Sequence, residues 1–463
     1  MYRDLLKMKS IPLLLCFLSF FLIPCLAFSE VKLDQTVFLD QEEETNPFSD
    51  EALSPILKEL KDGFGYTFRA LGYVTTAKPS DSPINPGNIW QISDYALNLN
   101  LRPDFFLDFR ALNFVFKPRL NLQWRHWGEG PRSGDSTLDD DWFVNEWLVR
   151  LRLYEGLFAS YGRENLQWGP SWLVSPSNPF FRDNGQSNPT SEVPGLDFGR
   201  LLWMPDSSWT GSFIANVGEG TQDFIGEFKN TYAAKFDYTT FKKYASLIVS
   251  HREGERARVG GFAGWTASDA LLLYGEGSIF KGSDYWSSLR SALAQTGVNP
   301  DLFFEENNSI EGILLLGGSY AFEAGPSITM EYVFNSPGLN DQQAEQLFRI
   351  ADWGSDIFND YQAIYDALRS RTGDPPSYNV KMFRKNYVML QYSHLQIRDV
   401  LNLIFRFTYN IDDSSSQFLP IVQYSVGDHS QLYLIGSQTF GSHDSEFKAL
   451  VDRSVMAGIQ YTF

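Results

Sequence analysis

Residues 455–463 read "VMAGIQYTF", and Val455, Ala457, Ile459, Tyr461 and Phe463 recur at every second position. A period of two places all five side chains on one face of an extended strand. The stretch ends the chain on a phenylalanine. A soluble edge strand shares the alternation but rarely closes a chain this way.

The same pattern recurs through the chain. Clear examples are Tyr95 to Arg102, Arg119 to Arg125, Trp147 to Leu153, Trp209 to Val217, Leu271 to Ile279, Ile328 to Phe334, Leu401 to Tyr409 and Leu432 to Phe440. Weaker segments such as Leu196 to Met204 bring the expected total to about eighteen, with sixteen as the alternative, against the roughly 9–11 residues of a membrane-crossing strand. The connections carry a second signal. Tight ones lie at 154–156, 204–209, 266–269, 322–326 and 426–430, and long ones at 76–90, 127–141, 163–196, 218–230, 280–310, 336–384 and 440–452. Long and short alternate, as they must when successive turns lie on opposite sides of a bilayer. A Greek-key sandwich has no such requirement.

The two ends and the composition agree with that reading. Arg3, Lys7 and Lys9 precede an apolar stretch from Ile11 to Phe28, and the small residues Ala27 and Ser29 offer a cut ahead of Glu30. This is the secretory pattern, so 1–29 is expected to be a signal peptide. Both cysteines, Cys16 and Cys25, fall inside it, and the mature chain then uses no disulfide or thiolate chemistry. Its 35 basic and 55 acidic side chains leave a formal charge of −20, which excludes nucleic acid as a partner. After the signal no run of about 20 apolar residues occurs, so helices do not span a membrane. Residues 30–62 form an acidic periplasmic tail with one short helical candidate in "SDEALSPILKELKDG".

The terminal strand resembles the C-terminal signature of bacterial outer-membrane β-barrels. The resemblance implies an all-β, up-and-down antiparallel transmembrane barrel over 63–463, in contact with outer-membrane lipid. It also implies recognition of the strand ending at Phe463 by the barrel-assembly machinery. Closure removes the open sheet edge that lipid cannot satisfy. Helical spacing inside two long loops, "NDQQAEQLFRIADWGSDIFNDYQAIYDALRSRTG" and "SDYWSSLRSALAQTG", predicts helices over the outer mouth or in the lumen.

Alternation also assigns the two faces of the wall. With Leu97, Leu99 and Leu101 toward lipid, Asn98, Asn100 and Arg102 point inward. Leu120, Leu122 and Trp124 outward place Arg119, Asn121, Gln123 and Arg125 inside, and Val149, Leu151 and Leu153 outward place Glu146, Arg150 and Arg152 inside. Arginine on the lipid face near the midplane costs about 2–4 kcal/mol, whereas in a wet lumen it costs little. Arg102, Arg119, Arg125, Arg150, Arg152 and Arg163 thus form a candidate basic wall. Guanidinium forks bind carboxylates and phosphates, so the wall is an anion track. Alternatively, these arginines pair with Glu146, with loop acids or with the tail and merely fill the lumen. His126, His251, His394, His429 and His443 are scattered singly, and no HExxH, GxSxG, CxxC or phosphate-loop motif occurs. No enzyme activity, metal or cofactor is expected.

The stretch 162–180, "GRENLQWGPSWLVSPSNPF", resembles a segment of the capsule-assembly (Wzi) outer-membrane family at Gly162, Arg163, Trp168, Gly169, Pro170, Ser175, Ser177 and Asn178. The resemblance implies a surface barrel for capsule or exopolysaccharide assembly, attachment or export, with an acidic polysaccharide as partner. Trp168, Trp172 and Asn178 join the arginines as ligand candidates. The alternative is a porin that passes small anionic solutes or oligosaccharides. An open lumen with a basic constriction distinguishes the porin from a surface binder whose lumen is closed.

Overall fold

The computed structural model describes residues 55–181, 188, 190–221, 228–281, 309–354 and 382–463. After a short helix, α1 (Pro55–Gly63), come β1 (Phe64–Pro79), β2 (Tyr95–Phe109), β3 (Leu112–His126), β4 (Ser136–Tyr154), β5 (Leu157–Glu164) and β6 (Leu196–Trp203). Then follow β7 (Trp209–Gly218), β8 (Thr231–Thr239), β9 (Lys243–Arg252), β10 (Arg258–Thr266), β11 (Leu271–Lys281), β12 (Ile310–Ala321) and β13 (Ser327–Asn335). Helix α2 (Asp341–Gly354) precedes β14 (Asn386–Ile397), β15 (Leu401–Asn410), β16 (Ser416–Val426), β17 (Ser430–Phe440) and β18 (Val451–Thr462).

Each strand pairs with its sequence neighbours, and β1 also pairs with β18, so the eighteen strands close into one ring. The closing ladder runs from Arg69 opposite Thr462 to Pro79 opposite Val451. Phe463 completes it. Its N–H donates to the Phe68 carbonyl at 2.9 Å, and the two rings meet edge to face with centroids 5.2 Å apart. Outward and inward side chains then alternate around the wall: Phe213 is 54% exposed and Ile214 1%, and Leu316 is 53% exposed beside fully buried Leu315. Such a surface suits only hydrocarbon. Exposed aromatics mark its lower rim at Tyr66, Tyr154, Trp203, Trp209 and Trp265 and its upper rim at Tyr95 and Phe440, as membrane interfaces favour.

One end of the ring carries short turns at 110–111, 155–156, 204–208, 240–242, 267–270, 322–326, 398–400 and 427–429. The other carries longer connections, including 80–94, 127–135, 165–195, 336–385 and 441–450, with two exceptions of five residues at 253–257 and 411–415. Two ladders continue beyond the expected strand ends. Thr76 and Lys78 still pair with Val455 and Arg453, and Asp139 to Asp141 pair with β3. Polar residues conceal these extensions in the sequence, because strand pairing needs no apolar face once it leaves the lipid.

Leu196–Trp203, a weak candidate by its pattern, is a full wall strand between β5 and β7. Helix α2 begins inside the first predicted loop helix with a reciprocal cap: Gln343 N donates to Asn340 Oδ1 at 2.9 Å, and Asn340 N to Gln343 Oε1 at 3.0 Å. Helix α1 lies in the predicted tail. The signal at 1–29, the tail up to residue 54, residues 355–373 of the first loop helix and the second loop helix at 283–297 lie outside the described residues.

Leu316→Arg, on the outward face of mid-β12, is expected to destabilise the barrel by about 2–4 kcal/mol in denaturant unfolding from lipid vesicles. A cost well under 1 kcal/mol would contradict the outward assignment of that face.

Candidate functional site

The connection from β5 to β6 turns into the barrel, and its first half is held by a carboxylate from the wall. Glu276 in β11 accepts from the Ser171 hydroxyl, from Ser175 Oγ at 2.9 Å, from Ser177 Oγ at 2.7 Å and from Ser177 N at 3.1 Å. Gly169 adopts φ +96°, and a Cβ there would drive into the same carboxylate, so glycine is required. Arg258 in β10 adds a bond to the Pro176 carbonyl.

A second carboxylate holds the next residues. Glu331 in β13 accepts from the backbone N–H groups of Trp172 at 2.7 Å and Leu173 at 3.1 Å, and from the Tyr274 hydroxyl at 2.7 Å. Leu173 then packs with Tyr274, Leu315, Val333 and Met389 in an apolar patch on the inner wall. The Arg406 guanidinium of β15 sits 5.8 Å from the Trp172 ring centre.

The later part of the loop is fastened to different strands. Arg102 of β2 donates to the Thr190 carbonyl at 2.9 Å. Glu192 is ringed by Arg119 of β3 at 2.5 Å, Arg69 of β1 at 3.2 Å and Arg102 at 3.8 Å. Asp104 bridges Arg69 and Arg119 from below, each at 2.9 Å. Since β2 and β11 are nine positions apart (11 − 2) in a ring of eighteen, the loop is tied to opposite walls. Burial opposes the charge of Glu192. The Arg119 hydrogen bond and the charges of Arg102, Arg119 and Arg69 outweigh it and hold the carboxyl below its ordinary value of 4.5.

Among the sequence-predicted residues, Arg102 and Arg119 meet at this fastening and are occupied by it. Arg125 faces inward at the upper rim and pairs with Asp139 at 2.8 Å. Arg150 and Arg152 lie lower on the inward face of β4, and among the described residues neither forms an ion pair. Arg163 requires a correction. It is the register partner of Trp147, whose ring packs edge to face on the exposed Tyr161, so it belongs to the outward face of β5. There it is bound to Asp197 at 2.8 Å and to the Val144 carbonyl at 3.0 Å.

The loop candidates are structural in their contacts. Trp168 packs on Phe180 with centroids 5.9 Å apart, and Lys235 lies 5.4 Å from its ring. Asn178 ties the loop to itself, donating to the Leu166 carbonyl at 2.9 Å and accepting from the N–H groups of Phe180 and Phe181. The sequence reading missed Glu276, Glu331, Glu192, Arg69 and Arg200. Glu276 and Glu331 were visible as lone acids in apolar strands, in "LLLYGEGSIF" and "ITMEYVF", and a buried charge in such a strand requires partners.

No family model matches the chain, and no curated protein matches it. Among solved structures it is similar to Pseudomonas aeruginosa OccK11 (OpdR), with a TM-score of 0.53 and 10% identity over 87% of this chain and 96% of that one. The outer membrane protein OprD from Pseudomonas aeruginosa gives 0.52 and 9%, over 87% and 94%. Acinetobacter baumannii OccAB1 gives 0.51 and 13%, over 87% and 97%. The chain shares the closed antiparallel β-barrel fold of these outer-membrane proteins. Identities this low carry the fold alone. They also correct the capsule-assembly resemblance: the solved likenesses are OprD and Occ barrels, and neither a family nor a sequence match supports Wzi. The residues that suggested it, Gly169, Ser175, Ser177 and Asn178, are accounted for by the packing of the loop.

Two outcomes are expected from these contacts. Glu331→Ala orphans the Trp172 and Leu173 donors at about 1–3 kcal/mol each, and single-channel conductance in planar bilayers should rise as the loop loosens; an unchanged conductance would show the loop is held elsewhere. The second concerns acid. Glu192 has a depressed folded pKa, so its stabilisation is complete above the unfolded value of 4.5 and is lost as pH falls through the folded one. The part of the conductance that depends on Glu192 should hold steady from neutral pH to about 4.5 and be lost only below it, and Glu192→Gln should remove that step from the pH profile.

Proposed function

We propose that the barrel is a porin that passes small anionic solutes through a lumen narrowed by the 165–195 loop. The observation that carries this reading is a row of inward residues on β4, β5 and β6. Arg150 is the register partner of Ser160, and Ser160 is the partner of Arg200. Glu164 lies 3.8 Å from Arg200 and 3.5 Å from the Ser160 hydroxyl, and the other acid near Arg200, Asp237 of β8, is already paired with Lys235. Arg200 is therefore the one guanidinium of the row paired with Glu164, Arg150 forms no ion pair among the described residues, and Arg152 adds a third cation one step nearer the short-turn end.

Arg102 and Arg119 differ, since Asp104 and Glu192 largely neutralise them. The β4–β6 row keeps an excess of fork-shaped donors for a passing carboxylate or phosphate. The fold-level likeness to OprD and Occ porins supports transport over capsule assembly. Small anions suit the site better than sugars because Trp168 and Trp172 are packed into the loop and its wall, leaving their faces poorly placed to stack on a glycan.

The test is reversal potential in a potassium chloride gradient for the wild type and an Arg150→Gln/Arg200→Gln double variant. Two cations removed from a narrow lumen should lower the anion-to-cation permeability ratio about three- to tenfold. An unchanged ratio in a variant that keeps the heat-shifted gel mobility of a folded barrel would sink the proposal.

A further inference from the structure

Two cations lie on the outside of the barrel near its long-loop end. Lys78 of β1 and Arg453 of β18 are register partners, and Gln438 of β17 is the next partner along the row. Both face outward, since Ala77 and Ser454 beside them are buried in the wall. Lys78 lies 3.7 Å from Asp452 and Lys448 2.6 Å from the same acid, so two cations share one carboxylate. Arg453 has no ion pair among the described residues. A local excess of positive charge thus stands on a strongly acidic chain.

The height of this pair decides its meaning. One register step toward the membrane centre lie Thr76 and Val455, level with Tyr95 of β2. One step outward along β17 from Gln438 stands the exposed Phe440. The cations therefore sit within the upper aromatic rim, where headgroups lie. Arginine or lysine facing lipid costs about 2–4 kcal/mol at the midplane and about 0–1 kcal/mol at the interface, and an anionic headgroup there turns the small cost into a gain. Below the pair, exposed Val74 and Val455 and the Tyr95 ring offer an apolar strip along which acyl chains can lie.

We propose that Lys78 and Arg453 bind a phosphate group of an outer-leaflet glycolipid, independently of what the lumen carries. A free phosphate would have only exposed cations screened by water. A phosphorylated lipid adds the apolar strip, and that contact favours it as the occupant.

Native mass spectrometry of the full-length barrel in detergent tests this, with lipid A, dephosphorylated lipid A and inorganic phosphate as probes at equal concentration. The wild type should retain lipid A. Lys78→Gln/Arg453→Gln should retain about tenfold less, while Arg453→Lys keeps most of it and all forms keep the heat-shifted mobility of a folded barrel. Equal retention by the wild type and the double variant would overturn the site. Equal binding of the dephosphorylated lipid would reduce it to apolar contact. Inorganic phosphate bound as tightly as the lipid would overturn the choice of occupant.

Discussion

A strand in hydrocarbon has no water to satisfy its unpaired N–H and C=O groups, so a spanning sheet must close on itself. Here that closure is the ladder between β1 and β18, sealed by Phe463 against Phe68. The rest of the molecule follows from it. Closure divides every strand into a face toward lipid and a face toward the lumen, and it fixes which side chains share a level around the ring. It also makes a wide interior. Water can enter such a lumen unless chain fills part of it, and the β5–β6 connection does so.

The way that loop is held has a polarity. On the β11–β13 wall, two carboxylates accept from donors of the loop: hydroxyls and an N–H at Glu276, two N–H groups at Glu331. On the β1–β3 wall, arginines donate to acceptors of the loop, the Thr190 carbonyl and the Glu192 carboxylate. A segment without regular secondary structure carries many unpaired backbone groups, and burying it requires partners for them. Placing acceptors on one wall and donors on the other meets that need at both ends. Single buried charges are costly alone, and each of these is surrounded by several hydrogen bonds, which offsets the cost.

Much of this was legible beforehand. Period-two alternation, the terminal phenylalanine and the alternation of turn lengths are local or regular signals, and they carry the strand number and the inward phase of Arg102, Arg119 and Arg150. What was not legible depends on pairing across long sequence separations. The serines of "GPSWLVSPS" meet Glu276 about a hundred residues later, and no local pattern predicts that. They looked like a family signature because a shaped carboxylate cradle and a conserved motif leave the same kind of trace. Arg163 was misplaced for a different reason. The phase of β5 is set by Tyr161 and Trp147 facing lipid, and a short strand interrupted by Gly162 shows too few alternations to reveal it.

Basic residues of the lumen consequently divide into two sets that composition cannot separate. Arg69, Arg102 and Arg119 are all ion-paired to Asp104 or Glu192, so most of their charge is used within the protein and their geometry is fixed by the loop. Arg150, Arg152 and Arg200 stand lower on the wall with Glu164 and the Lys235-paired Asp237 as the nearby acids, and they keep an excess of positive charge toward the lumen. The first set determines how far the loop reaches across the barrel. The second determines which sign of charge is favoured in the space that remains. In the porin proposed above, selectivity depends on the first set through shape and on the second through charge. A change in the acid Glu192 would alter shape first, although by sequence it belongs to neither the barrel wall nor its basic row.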